Sequence, residues 1–116
     1  RCAGAGIPAF YTSTGLGTIV SKNKEHRVFN DREYILEKAL PADFSLIRAN
    51  KSDTFGNLEY IGTSRAFNPA MATASKITIV EVNEIVEPGE IDPEKIGTPG
   101  VYVNRIVRRK SGDPYP

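Results

Sequence analysis

The sequence predicts an α/β domain that is rich in β-strands and has only short helices. The strongest support is the run 77–82, whose β-branched residues suit a strand buried in the middle of a sheet. The pair Asn68-Pro69, followed by small residues, predicts a short helix over 70–74 with Asn68 as its cap. The other apolar segments have the length of strands. Because so few helices cover a sheet poorly, we expect further sequence, a partner chain or both to shield its faces.

The chain opens with an unusual segment, residues 4–18, that combines four glycines with a proline, two aromatic residues and several hydroxyl groups. Glycine permits close approach of a backbone to a ligand, so such a loop can direct backbone N–H groups at an anion or a carbonyl oxygen. Phe10 and Tyr11 would form an apolar wall beside it. Composition alone favours a plain surface connection, because most loops have no binding role.

Two strand-turn-strand units are predicted between this segment and the helix. The first pairs 27–29 with 34–37 across a polar turn, because its Asn-Asp pair tolerates left-handed backbone. The second joins a strand over 42–49 to a strand over 58–61 through a long polar turn at 50–57.

The region after the central strand is predicted to be less regular. Asp92 caps a single helical turn that ends at Ile96, and residues 101–107 form the last strand. The polar residues from Arg108 onward are expected to fray, because chain ends with few apolar groups are poorly ordered.

Length and charge exclude several classes of protein. The 116 residues fit one domain, and 15 basic against 14 acidic residues give a net charge of +1, too little to attract nucleic acid or an anionic membrane. The basic cluster at 105–110 is interpreted as a solvated tail. The sequence contains no apolar run long enough to span a bilayer and no signal-peptide pattern, so we expect a soluble, intracellular protein. Because the chain enters its loop directly from Arg1, we expect it to be cut from a longer protein.

The residues for several kinds of catalysis or cofactor binding are missing. Cys2 is the only cysteine and His26 the only histidine, so a disulfide, a zinc site or a Ser-His-Asp triad is poorly supported. The pattern Gly4-x-Gly6-x-x-Ala9 matches a dinucleotide fingerprint formally, but no strand precedes it and further glycines deny the helix that should follow. The hydroxyls near residue 13 have no histidine or lysine close in sequence to activate them.

Five stretches, taken in order and with their spacing, resemble the A subunit of the family I coenzyme A transferases, and most of all the succinyl-CoA:3-ketoacid type. The resemblance extends from about Arg1 to about Val107. The stretches are Gly4 to Thr18, Ala42-Asp43, Lys51 to Leu58, Ser64 to Ala72 and Glu84 to Gly100.

This resemblance implies an open, twisted mixed sheet of the CoA-transferase type, with residues 1–110 as the C-terminal part of an A-subunit domain and 111–116 as a disordered tail. It also implies an enzyme of two related halves, in which a glutamate of the B subunit, within a Glu-Asn-Gly motif, attacks the acyl-CoA thioester. No glutamate in this chain precedes Asn-Gly, so no catalytic residue is expected here. Coenzyme A is expected as a substrate, with no tightly bound cofactor, metal, nucleic acid or membrane.

The implied partners are a B subunit in a hetero-oligomer, an acyl-CoA and a carboxylic acid, with acetoacetate as the acceptor. Other acid pairs, such as acetate or butyrate with acetoacetate, or 3-oxoadipate, stay open, as does a non-catalytic structural role. By resemblance, one segment forms a wall of the acyl pocket near the glutamate of the B subunit. That segment is Gly4, Ala5, Gly6, Ile7, Pro8, Ala9, Phe10, Tyr11 and Thr12. Lys51, Arg65 and Asn68 also lie in matched stretches, and structural roles explain them equally well.

Overall fold

A computed structural model describes residues 1–110, which form two β-sheets and one α-helix. The chain alternates strands with short helical turns, so the predicted strand-rich α/β class is confirmed. The strands are β1 Ala9–Thr12, β2 His26–Phe29, β3 Arg32–Lys38, β4 Ala42–Asp53, β5 Leu58–Glu59, β6 Ser75–Val86, β7 Ile96–Thr98 and β8 Arg105–Arg108, and the helix α1 is Asn68–Ala74. Single turns of 3₁₀ helix lie at Ile19–Ser21, Gly62–Arg65, Pro93–Lys95 and Gly100–Tyr102. No helix in the described part of the chain has the length and apolarity needed to cross a bilayer.

The larger sheet has the strand order β7-β5-β4-β6-β8. Strands β4, β6 and β8 run parallel, and β4 and β6 pair from Ala42↔Ser75 to Asp53↔Val86. The β-branched run therefore lies in an interior strand, as its composition predicts, because backbone groups on both edges of β6 are paired.

Only one face of the larger sheet is covered within residues 1–110. Side chains from β4 and β6 pack under α1 and form the core, which consists of Ile47, Ala49, Leu58, Tyr60, Ala72, Val80 and Val82. Residues that alternate with these on β4 point to the opposite face, where Phe44 is 59% and Leu46 73% exposed. The opposite face of the larger sheet therefore keeps exposed apolar side chains, as expected for a sheet with so few helices to pack on it.

A buried carboxylate fixes the turn between β4 and β5. Asp53 is 3% exposed and accepts three hydrogen bonds, from the backbone N–H of Phe55 (3.0 Å) and from the backbone (2.9 Å) and side-chain (2.7 Å) N–H groups of Asn57. Asn57 Oδ1 in turn accepts from Gly100 N at 2.9 Å, where a β-carbon on Gly100 would lie 2.1 Å from the Phe55 carbonyl oxygen. This contact ties the turn to the distant segment before β8.

The smaller sheet is antiparallel, with the order β1-β3-β2. Its β2–β3 hairpin turns through Asn30 and Asp31, whose φ values of 49° and 60° confirm the predicted left-handed turn. Its strands pair only with one another, and the molecule as a whole measures 53 × 29 × 25 Å. The radius of gyration of 17.7 Å exceeds the value of about 13 Å expected for a compact domain of this size.

The structure corrects several predicted boundaries. The strand predicted over 58–61 ends at Glu59 as β5. The fraying predicted from Arg108 onward is wrong at its start, because Arg108 pairs with Val82 in β8 and Arg109 N bonds to Val82 O at 2.8 Å, so residues 105–108 of the basic cluster belong to the sheet and not to a solvated tail. Strand β4 continues to Asp53, because polar residues that favour a turn are paired with β6 and β5 instead. Residues 101–103 do not form a strand, because Tyr102 N bonds to Pro99 O and Val103 N to Gly100 O in a 3₁₀ turn. The Asp92 cap is confirmed by its bond from Glu94 N at 3.0 Å. The predicted tail at 111–116 lies outside the described residues.

The ionisation of His26 provides a test of the strand register in the smaller sheet. His26 Nδ1 donates to Glu33 Oε1 at 2.8 Å and Nε2 to Ser21 O at 3.3 Å, and only the protonated ring donates from both nitrogens. The hydrogen bond to Glu33, aided by that to Ser21, holds the pKa of His26 above its usual value of 6.5. Its contribution to folding is therefore present below pH 6.5 and is lost as the pH rises through the folded-state pKa.

We expect an NMR titration of His26 to give a pKa above 6.5 that falls in Glu33→Gln. Glu37→Gln is the matched control, because Glu37 pairs with Lys24. A pKa that stays the same in Glu33→Gln would contradict the pairing.

Candidate functional site in the glycine-rich segment

The glycines at the start of the chain end a helical turn. Ile7 N donates to Cys2 O at 2.9 Å and Gly6 N to Ala3 O at 3.1 Å, while Gly6 has a φ of 72°. This pair of bonds around a left-handed glycine is the Schellman motif that terminates helices. Gly6 therefore has a structural role, since other residues adopt this conformation at a cost.

Gly4 allows close contact between this turn and α1. A β-carbon on Gly4 would lie 2.1 Å from Thr73 Oγ1 and 2.6 Å from Thr73 Cβ, so no side chain fits at position 4 without movement of the helix. The contact fixes the glycine-rich segment against the larger sheet through α1.

The backbone of the turn cannot cradle an anion. The N–H groups of Ala5, Gly6 and Ile7 are all donated to carbonyl oxygens of residues 1–3. The idea that this part of the segment directs free N–H groups at a ligand is therefore wrong, and what it offers is shape and apolar surface.

The middle of the predicted loop is a strand. Residues Ala9–Thr12 form β1, which pairs with β3 from Ala9↔Lys38 to Thr12↔Ile35. Successive strand side chains point to opposite faces, so Phe10 and Tyr11 do not form one wall, contrary to the sequence-based expectation. Tyr11 packs edge to face on Phe29 and donates its hydroxyl hydrogen to Glu25.

The exposed side chains of the segment are mostly apolar. Ile7 is 46% and Phe10 39% exposed, and Pro8 lies between them. Phe10 also lines a cleft of about 420 Å³ that carries two cationic residues. The cleft is lined by Arg1, Cys2, Ala3, Phe10, Lys38, Ala39 and Leu40. An apolar cleft with cationic groups suits a ligand with a short carbon chain and a carboxylate.

The other matched residues have structural partners. Lys51 Nζ lies 2.9 Å from Glu84 Oε2, and this hydrogen bond raises the pKa of Lys51. Arg65 Nε donates to the backbone carbonyl oxygen of Tyr60 at 3.0 Å. Asn68 does not cap its helix, whose first cap position is Phe67. Its side chain instead joins β4 to the preceding turn, accepting from Arg48 N at 3.2 Å and donating to Ser64 O at 2.8 Å.

A second cleft, of about 440 Å³, was not predicted from the sequence. Arg48 donates to Asn83 Oδ1 at 3.2 Å, and Asn83 donates to Asn50 Oδ1 at 3.3 Å. The residues that line this second cleft are Arg48, Ala49, Asn50, Ile61, Thr63, Ser64, Asn68 and Asn83. Only the pairing of β4 with β6 brings these distant polar residues together, so no sequence motif marks them.

The hydroxyls of the segment also have local roles. Thr12 Oγ1 accepts from Thr14 N at 3.1 Å, and Ser13 Oγ accepts from Arg32 Nη2 at 3.1 Å. Within residues 1–110, no group of three histidine, cysteine, aspartate or glutamate side chains could hold a metal ion.

Comparisons with known proteins agree on one family. The family profile described as Coenzyme A transferase matches residues 1–109. The A subunit of succinyl-CoA:3-ketoacid coenzyme A transferase from Helicobacter pylori strain J99 is 55% identical over 108 residues, which are 93% of this chain and 47% of that protein. The A subunit of 3-oxoadipate CoA-transferase from Pseudomonas putida is 50% identical over 105 residues, which are 90% of this chain and 46% of that protein. The chain thus spans about half the length of these curated relatives.

The same fold occurs in a solved enzyme. The apoenzyme of an acyl-CoA transferase from Escherichia coli O157:H7 matches with a TM-score of 0.84 at 23% identity, over 94% of this chain and 25% of that one. At this identity the likeness supports the fold alone.

The packing of Gly4 on Thr73 predicts a specific loss of stability. Gly4→Ala should lower the free energy of unfolding by about 1–3 kcal/mol, because the new methyl group overlaps the helix. Thr73→Ala should restore part of that loss, because it removes the closest atom. The measurement is urea denaturation followed by circular dichroism.

Gly6→Ala is the matched control, because the space around Gly6 is open and only its φ of 72° opposes a side chain. We expect it to cost about 1–2 kcal/mol and to gain nothing from Thr73→Ala. Equal rescue of both variants would show that the Gly4–Thr73 contact is not the cause.

Proposed function

We propose, from the premise that this chain belongs to the coenzyme A transferase family, that it is part of the A subunit of an enzyme that moves CoA between succinyl-CoA and a 3-oxo acid such as acetoacetate. The observation that carries the proposal is the 55% identity, over 93% of the chain, to the A subunit of a succinyl-CoA:3-ketoacid transferase. Residues 1–110 would form the C-terminal part of that subunit's domain. A cytoplasmic location, or the matrix in a eukaryote, fits a chain with the single cysteine Cys2.

The nucleophile would come from a B subunit. Its glutamate carboxylate attacks the acyl-CoA carbonyl carbon, forming an acyl-glutamyl anhydride and releasing the CoA thiolate. The thiolate then attacks the glutamyl carbonyl, which releases the first acid and leaves a glutamyl-CoA thioester. The acceptor acid reverses these two steps. Splitting one difficult exchange into easier steps is the benefit of covalent catalysis.

The role that fits the glycine-rich segment is protection of these intermediates. An anhydride or thioester is lost to hydrolysis if water reaches it, so the pocket has to exclude water. The exposed carbons of Ile7, Pro8 and Phe10 can form an apolar wall, and the Gly4 contact holds that wall in place. Lys38, in the adjoining cleft, would attract the carboxylate of the acid.

A second acid pair is the main alternative. The relative that acts on 3-oxoadipate is 50% identical to this chain, close to the value for the 3-ketoacid enzyme. Because these acids differ mainly in chain length and in a second carboxylate, pocket size would decide between them.

The acid specificity can be tested in a complex of the complete enzyme's two subunits. With succinyl-CoA as donor, we expect kcat/KM for acetoacetate to exceed the values for acetate and 3-oxoadipate by roughly tenfold or more. Replacing the B-subunit glutamate with alanine should abolish transfer. A preference for 3-oxoadipate would change the acid pair and leave the transferase assignment intact.

The role of the wall predicts a change in reaction outcome. Ile7→Asn should raise the ratio of succinyl-CoA hydrolysis to CoA transfer by roughly tenfold, because a polar side chain admits water. Ile19→Asn is the matched control, since Ile19 is 79% exposed and lies outside the segment. Release of free thiol and formation of the new thioester measure the two reactions. An unchanged ratio in Ile7→Asn would show that the segment is not part of the acyl pocket.

A further inference from the structure

One face of the smaller sheet concentrates arginine and aromatic side chains. The members of this arginine-aromatic face are Tyr11, Arg27, Phe29, Arg32 and Tyr34. Alternate residues of a strand share a face, and the register places Arg27 opposite Tyr34 and Phe29 opposite Arg32.

The rings and guanidinium groups of this face contact one another. The ring centroids of Tyr11 and Phe29 lie 5.1 Å apart and those of Phe29 and Tyr34 lie 5.7 Å apart, both edge to face. The Arg27 guanidinium carbon lies 5.3 Å from the Phe29 centroid and 5.9 Å from that of Tyr11, and Arg32 lies 5.8 Å from that of Tyr34. These contacts restrain the long arginine side chains, so less entropy is lost when a partner binds.

Charges are divided unequally between the two faces of this sheet. On the opposite face, Glu33 pairs with His26 and Glu37 with Lys24. Beside the arginine-aromatic face, the carboxylate of Glu25 accepts from the Tyr11 hydroxyl. The two arginines therefore give this face a positive charge that one carboxylate does not balance.

The opposite face also differs because it is packed. Ile35 is fully buried there, and a β-carbon on Gly15 would lie 3.3 Å from Val20 Cγ1 and 3.8 Å from Ile35 Cδ1. The segment between β1 and β2 thus covers that face. On the arginine-aromatic face Phe29 remains 40% exposed.

From these observations we propose that the arginine-aromatic face is the surface by which this chain docks on its B subunit, and that it meets carboxylates there. The proposal rests on the proposed function, because it takes the B subunit as the partner. Arginine and aromatic residues are enriched where protein interfaces hold most of their binding energy. Unbalanced positive charge fits an acidic partner surface, and the side chains of Arg27 and Arg32 are exposed.

The anionic nucleotide end of coenzyme A is the other ligand that a positive face could attract. The geometry favours a protein, because the rings already pack edge to face and leave no slot into which a base could stack. Ligand sites for small molecules are also concave, whereas this is the surface of a sheet.

The test is the affinity between the two purified subunits, with this chain in its full-length form, measured by isothermal titration calorimetry at several salt concentrations. We expect the double variant Arg27→Glu, Arg32→Glu to weaken binding by roughly a hundredfold or more, and Phe29→Ala by roughly tenfold or more. Lys22→Glu makes the same kind of charge change on an exposed residue outside the face, and we expect a change below about threefold. Circular dichroism checks folding, and Arg27→Gln replaces the double variant if that does not fold.

Each outcome decides the proposal. It is overturned if the double variant binds as tightly as the parent, if Lys22→Glu weakens binding as much, or if coenzyme A added alone shifts the arginine Nε–H resonances of residues 27 and 32. If the parent subunits form a tight complex that transfers no CoA, and the double variant abolishes that complex, the proposed function is wrong and the docking surface is supported. If the complex is active and the double variant binds as tightly as the parent, the proposed function is supported and the docking surface is wrong.

Discussion

The pairing of β4 with β6 along the full length of both strands is the constraint on which the rest of this structure depends. Its parallel register, from Ala42↔Ser75 to Asp53↔Val86, requires the chain to cross from one end of the sheet to the other. Helix α1 lies on that crossover and covers one face, while the opposite face keeps exposed apolar residues such as Leu46. The Gly4 turn then packs on α1, so the candidate site is positioned indirectly by the same pair of strands.

The parts of the fold that were predicted correctly are those with a local cause. The β-branched run in β6 and the left-handed turn at Asn30-Asp31 depend on the conformational preferences of those residues. The errors occur where distant contacts override such preferences. The apolar run 101–103 resembles a strand, yet the bond from Gly100 to Asn57 holds its start against a turn more than forty positions earlier in the chain. The polar residues at the end of β4 have the composition of a turn, but their pairing with a neighbouring strand makes them part of β4.

In the candidate site, too, some features have a local cause and others depend on tertiary contacts. Its glycines were identified from composition, but the reason for each differs. Gly6 ends a helical turn, whereas Gly4 leaves room for Thr73, and only the second reason depends on tertiary structure. Because the N–H groups of residues 5–7 are consumed within the turn, the segment can contribute contact area and exclusion of water but no oxyanion stabilisation through those groups. This limited role is consistent with the proposal that another chain supplies the reactive group.

The extended outline of the molecule has a practical consequence for the study of its assembly. A chain of 12.7 kDa with a radius of gyration of 17.7 Å has the hydrodynamic size of a heavier globular protein. In size-exclusion chromatography calibrated with compact standards, the monomer would elute early and would be mistaken for a dimer. Molar mass from light scattering does not depend on shape, and it is the appropriate way to count the chains in any complex that this protein forms.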